Sequence, residues 1–275
     1  MLIAATGALC AEHGAPTLYR GPFETMLPRM AQDGFRGVEL HLLDSAEIDR
    51  PALWRLLGEN GLRRTSIGTG SAYGARGYNL VDRDEAVRRR TIRHLEEHMV
   101  TLEPSHGIVI VGLIAGRARD CGAPPDVQAE RLAQSLRELD ALAGKHGVRV
   151  GLEMMNAYEC DFLHTIDEGA AFLRYVGGLT HTCLHIDTVS MNIGETDIGA
   201  AIRRGAGLIG HVHVADNDRW YPGHGHYDFR ETLAALRDIG YNGALALEEK
   251  MLPDSGTAGR RSLRYLGAMM EAVGI

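Results

Sequence analysis

Eight short apolar runs, separated by longer amphipathic stretches, constrain this chain more than any other feature. They fall at 2–5, 37–42, 64–68, 107–112, 148–154, 180–187, 210–215 and 244–248. Each is short and rich in apolar or β-branched residues, as strands buried on both faces are. The stretches between them carry helical patterning, clearest over 85–102, 127–146, 166–175 and 228–239. The last begins Asp228-Phe-Arg-Glu231, an N-cap whose third following residue can reach back to it. Gly147, Gly177 and Gly240 sit where helices end on a left-handed residue. Eight strand-then-helix units predict a parallel sheet closed on itself, a (β/α)8 TIM barrel. No linker-like segment divides residues 1–275, so one domain is expected. An open doubly wound sheet is the competing architecture, but no G-x-G-x-x-G follows any strand.

Composition narrows the class of partner. The chain is 45% hydrophobic and 24% charged, enough for a substantial core, and its net charge is -7. That balance argues against nucleic acid as a partner, which would want a broad basic face. The opening MLIAATGALC lacks a basic flank and reads as a first strand rather than a signal peptide. No apolar run approaches the roughly 20 residues of a membrane span, so no membrane partner is expected. Cys10, Cys121, Cys160 and Cys183 form no C-x-x-C pair. They are expected to be reduced thiols in a cytoplasmic protein, with no structural zinc.

Ionisable residues recur where buried strands should be apolar. The second run carries Glu39 and His41, and the fifth ends Gly151-Leu-Glu153. The sixth reads Leu184-His185-Ile-Asp187, the seventh His211-Val-His213, and the eighth ends Leu247-Glu248-Glu249. Strand side chains alternate faces, so Glu39 with His41, His185 with Asp187, and His211 with His213 each share one face. Their apolar neighbours then meet the helices, and the polar set points into the barrel. Charge there is costly unless paired or bound to a cation. Buried ion pairs would explain any one position. Four such positions at the same end of consecutive strands point to a site, because barrel active sites are built there. Glu153, Asp187, His213 and Glu248 would form an oxygen-rich metal set suited to Mn²⁺ or Mg²⁺, with Co²⁺ tolerated. Glu39 and His41 could line the pocket or serve structure, and His211 reads as a support rather than a ligand. His224 and His226 are expected in an exposed loop, Glu249 facing outward, and Arg88 to Arg90 on a solvated helix face.

Four segments carry a resemblance. Gly151-Leu-Glu-Met-Met-Asn-Ala-Tyr-Glu159, His185-Ile-Asp-Thr-Val-Ser-Met-Asn-Ile-Gly-Glu195, His211-Val-His-Val-Ala-Asp-Asn-Asp-Arg219 with Pro222-Gly-His-Gly225, and Gly240-Tyr-Asn-Gly-Ala-Leu-Ala-Leu-Glu248 follow one another in order. In this the chain resembles the xylose isomerase-like sugar isomerases and epimerases, and is most similar to their ketose 3-epimerase branch of tagatose and psicose epimerases. The resemblance implies the same four metal ligands, with Glu153 and Glu248 also acting as the acid/base pair. It places Glu159, His185 and Arg219 where substrate-orienting groups are found, and implies a dimer or tetramer. One position departs from the pattern. Three residues after the ligand aspartate the family usually has a histidine, and here stands Ser190. Serine carries no positive charge, so polarisation of the substrate must come from elsewhere.

The reaction implied is proton transfer at a carbon beside a carbonyl of a sugar or keto-acid. A ketose would chelate the cation through its C2 and C3 oxygens, and an enediolate would form as one glutamate removes the C3 proton and the other returns it to the opposite face. The same ligands would permit aldose–ketose isomerisation, or dehydration of a keto-sugar or keto-polyol. A metal-dependent repair endonuclease on this fold would need further ligands and basic loops. A non-catalytic barrel that keeps the metal site is the remaining alternative. No phosphate cradle is evident, which favours unphosphorylated substrates.

Overall fold

A computed structural model describes residues 1–10, 15–46 and 48–275. Nine strands form one sheet: β1 Leu2–Ala8, β2 Tyr19–Arg20, β3 Gly37–His41, β4 Arg63–Gly68, β5 Ile108–Val111, β6 Arg149–Glu153, β7 Thr182–Asp187, β8 Ile209–Val214 and β9 Ala244–Leu247. All eight predicted runs are present, as β1 and β3 to β9, displaced at their ends by no more than three residues. Every pairing is parallel, and β1 closes the barrel by pairing with β3 on one side and β9 on the other. β2 was not foreseen. It is two residues long and pairs with Gly7 and Ala8, where β1 runs on past the end of its register with β9.

The helices are α1 Phe23–Asp33, α2 Arg50–Glu59, α3 Gly70–Arg76, α4 Glu85–Leu102, α5 Ala118–Cys121, α6 Pro125–His146, α7 Ile166–Val176, α8 Thr188–Gly194, α9 Ile198–Arg204, α10 Phe229–Asp238 and α11 Ser255–Ala272. Asp228 accepts from the Glu231 amide at 3.1 Å, as the sequence predicts for α10. The reciprocal capping box is found instead at α7, between Thr165 and Glu168. Gly147 takes the left-handed conformation after α6, and Gly240 has a positive φ after α10. Gly177 differs: its φ of 65° comes with an extended ψ of 157°, so the chain leaves α7 straight into the loop before β7.

Two apolar populations follow from strand alternation. The larger packs strands against helices and includes Leu27, Phe35, Leu95, Leu136, Ile186 and Leu236, all fully or almost fully buried. Each such side chain stabilises the fold by about 1.5–3 kcal/mol. The smaller, Ile108, Ile110 and Cys183, lies on the opposite face of its strands and forms an apolar floor inside the barrel. Above that floor, towards the C-terminal strand ends, the inward positions turn polar. None of the four cysteines forms a disulfide. Among the described residues no helix is long and apolar enough to cross a membrane.

Candidate active site and metal centre

The inward polar residues form two layers. The deeper one centres on Glu39, a fully buried carboxylate from β3. His213 Nε2 lies 2.7 Å from its Oε1, and His41 Nε2 lies 2.8 Å from the same oxygen. His211 Nε2 stands 2.7 Å from Oε2, which also accepts the Ser66 hydroxyl at 2.5 Å. Burial works against the charge on Glu39, but His213 and the hydrogen bonds from three histidines outweigh it. Its carboxyl is held well below the usual range. Neither Glu39 nor His41 is a free pocket wall: both belong to this network. His211, read from the sequence as a support, bonds Glu39. His185 also lies here, with no exposed surface and no hydrogen-bond partner on either ring nitrogen. Burial, helped by neighbouring His213 and His211, pushes its pKa well below normal and leaves it neutral.

The upper layer gathers Glu153 from the end of β6, Asp187 from the end of β7, His213 from β8 and Glu248 just past β9. One ligand atom each from Glu153, Asp187 and His213 falls within 4.8 Å of the others. Glu248 Oε2 lies 3.4 Å from His213 Nδ1, and Glu153 Oε1 lies 4.0 Å from that nitrogen. Asp187 divides its work between two oxygens. Oδ1 caps α8 by accepting the Val189 amide at 2.7 Å, while Oδ2 faces the centre. His213 Nδ1 is buried without a hydrogen-bond partner, and Asp187 Oδ2 is buried with no hydrogen bond, only the Arg219 guanidinium paired with it at 2.8 Å. Such atoms are costly in a fold unless something ligates them. The donor set, three carboxylates and one imidazole nitrogen, fits a hard divalent cation.

Arg219 reaches this layer from the loop after β8. Nη1 donates to Glu248 Oε2 at 2.7 Å, and Nη2 lies 2.8 Å from Asp187 Oδ2, too poorly aligned to hydrogen-bond it. Its backbone is left-handed, with φ of 63°, which costs a non-glycine residue about 1–3 kcal/mol. The surrounding turn enforces it. The Arg219 amide donates to the Asp216 carbonyl at 2.9 Å, and the Lys250 amide donates to the Arg219 carbonyl at 2.7 Å. The buried Asp216 carboxylate accepts the amides of Asn217, Gly223 and Tyr227, pinning both limbs of the loop. Glu159, half-buried beside the site, accepts from Asn156 Nδ2 at 2.8 Å. Asn156 also reaches Ser190 Oγ at 3.4 Å.

The two glutamates differ electrostatically. Burial, reinforced by Glu248 and Asp187, pushes the Glu153 carboxyl well above its usual range. Burial also opposes the charge on Glu248, yet His213 and Arg219 hold that carboxyl down at about 2.

Seven sequence-predicted site residues, Glu153, Glu159, His185, Asp187, His213, Arg219 and Glu248, thus gather at one end of the barrel. His185 lies deepest, beneath the carboxylates. His224 and His226 are exposed, as expected, with His224 stacked on Trp220 at 4.3 Å between ring centroids. Glu249 faces outward but is buried rather than solvated, taking the Ser262 hydroxyl of α11. Ser66, Asn156 and Asp216 were not foreseen. Asp216 lies two residues past the end of β8 in a loop rich in turn formers, and that placement was its only signal.

Comparison with known proteins agrees with this fold. The profile of the xylose isomerase-like TIM barrel family matches residues 27–269. An L-ribulose 3-epimerase of Mesorhizobium japonicum is 32% identical over 227 residues, covering 82% of this chain and 74% of the relative. A 3-dehydro-D-guloside 4-epimerase of Escherichia coli is 28% identical over 255 residues, covering 88% of this chain and 96% of its own. A solved L-ribulose 3-epimerase superposes with a TM-score of 0.84 at 27% identity, covering 99% of this chain and 95% of that structure.

Proposed function

This chain belongs to the xylose isomerase-like TIM barrel family, and on that premise we propose that it is a divalent-metal-dependent ketose 3-epimerase. One observation carries the reading: two carboxylates from well-separated strands, Glu153 and Glu248, flank the unpartnered Nδ1 of His213. Inversion at a carbon needs one group on each face of the substrate, and carboxylates arriving from β6 and from beyond β9 can supply both. Glu153, Asp187, His213 and Glu248 would hold the cation, with Mn²⁺ the best match to the donor set and Mg²⁺ or Co²⁺ acceptable. When bound, it would polarise the sugar's carbonyl and adjacent hydroxyl oxygens as a Lewis acid and stabilise enediolate charge.

The remaining work falls to the chain. One of the two glutamates takes the C3 proton, and the other returns one to the opposite face. Arg219 keeps Glu248 ionised and offers its remaining N–H groups to the developing negative charge. Glu159, held by Asn156, orients the sugar hydroxyls.

Ser190 favours a second substrate class. Serine is smaller than the imidazole usual at this position, and Ser190 lies buried against Asn156, the residue that holds Glu159. A keto-glycoside epimerised beside its carbonyl is therefore the second reading, and the E. coli relative is named for such a substrate. The test is a panel of free ketoses and keto-glycosides incubated with Mn²⁺-loaded protein, with products separated by chromatography. The expected product is the C3 epimer of a ketose, abolished by EDTA and restored by Mn²⁺. Conversion of glycosides alone supports the second reading. Aldose or dehydrated products, or no product at full metal occupancy, would sink the epimerase assignment.

A further inference from the structure

We propose that Glu39 is the positioning residue that fixes His213 as a metal ligand through Nδ1, an inference that rests on the metal reading above. An ionised carboxylate only accepts hydrogen bonds, and its two oxygens offer about four lone-pair positions. In Glu39 all four are taken: His213 and His41 on Oε1, and His211 and Ser66 on Oε2. Each imidazole must therefore present an Nε2–H to it. For His213, once a cation displaces any proton from the ring, this leaves Nδ1 as the atom that can offer a lone pair. That nitrogen is the one aimed at Glu248 and Glu153, and no group in the protein hydrogen-bonds it.

A metal-ligating imidazole needs a defined tautomer and a fixed ring plane, and a hydrogen bond on its second nitrogen supplies both. The carboxylate is itself immobilised. It is fully buried, and its four donors come from β3, β4 and β8. His41 is tied further to Thr17 through Nδ1 at 3.4 Å. The network thus spans the barrel from β3 to β8, so the orientation of a ligand on one side is set from the other.

Glutamine at position 39 would turn an N–H towards one of these N–H donors and force an imidazole to rotate. The test is Mn²⁺ affinity by calorimetry or chelator competition, in the wild-type protein and in Glu39→Gln, with thermal melting to follow the fold. The expected result is a folded variant that binds Mn²⁺ about 10–100-fold more weakly. Equal affinity overturns the proposal. Because the variant could misfold, wild-type protein saturated with diamagnetic Mg²⁺ and labelled with ¹⁵N-histidine gives a second reading. Long-range ¹H–¹⁵N spectra should show His213 protonated at Nε2, and protonation at Nδ1 overturns the proposal. Wild-type protein that binds neither cation would instead bring down the metal reading itself.

Discussion

Gly112 shows how one residue sets the site. It follows β5, next to the end of β6, and a Cβ built on it would collide with Glu153 Oε2. The glutamate can occupy its place only because that position has no side chain. Gly112→Ala should therefore leave the barrel folded, since the colliding atom is the end of a flexible side chain, while moving the carboxylate. Misplacing a reacting group by about 1 Å costs on the order of 100-fold in rate. We expect kcat to fall by about that factor, with the melting temperature close to wild type. Unchanged kcat would show that Glu153 does not act from this position. Nothing in the sequence marked Gly112, because a glycine at a strand end has several structural uses and its neighbour across the sheet is not legible without the register.

At the scale of elements, strands were more legible than the contacts around them. Apolar runs that must be buried on both faces are short and distinct, so all eight barrel strands could be placed. β2 is only two residues long and has no pattern to find. The outward direction of Glu249 followed from alternation, but its burial did not, because that depends on how α11 docks. The same holds for α4, whose buried face carries His94 and His98. His98 Nδ1 lies 2.5 Å from Ser45 Oγ in the loop after β3, and its Nε2 lies 3.0 Å from His94 Nε2. Burial, with His94 beside it, pushes the His98 pKa from 6.5 down to about 3. The unfolded chain binds a proton below pH 6.5 that the folded chain refuses until about 3, so stability is present above 6.5 and is lost as pH falls through that window. Urea unfolding at pH 7.5 and pH 5 should show wild-type protein losing stability on acidification, with a smaller loss in His98→Gln. Equal losses in the two proteins would remove His98 as the cause.

Across the whole molecule, the barrel brings together residues from distant parts of the sequence. Glu39 and His213 are 174 positions apart yet 2.7 Å apart in space. Sequence reading found the carboxylates and histidines because charge is rare in buried parallel strands, and found their common end because barrels place chemistry there. It could not divide them into the Glu39 layer and the Glu153, Asp187 and Glu248 layer, since that depends on strand stagger. The central claim is that the upper layer moves a proton at a sugar carbon. Deuterium wash-in tests it most directly: Mn²⁺-loaded protein is incubated with a ketose in D₂O, and the label is located by NMR. The account predicts deuterium at C3 of substrate and product, lost at least a hundredfold in both Glu153→Gln and Glu248→Gln. Epimerisation without deuterium entering C3, or full exchange in both variants, would contradict it.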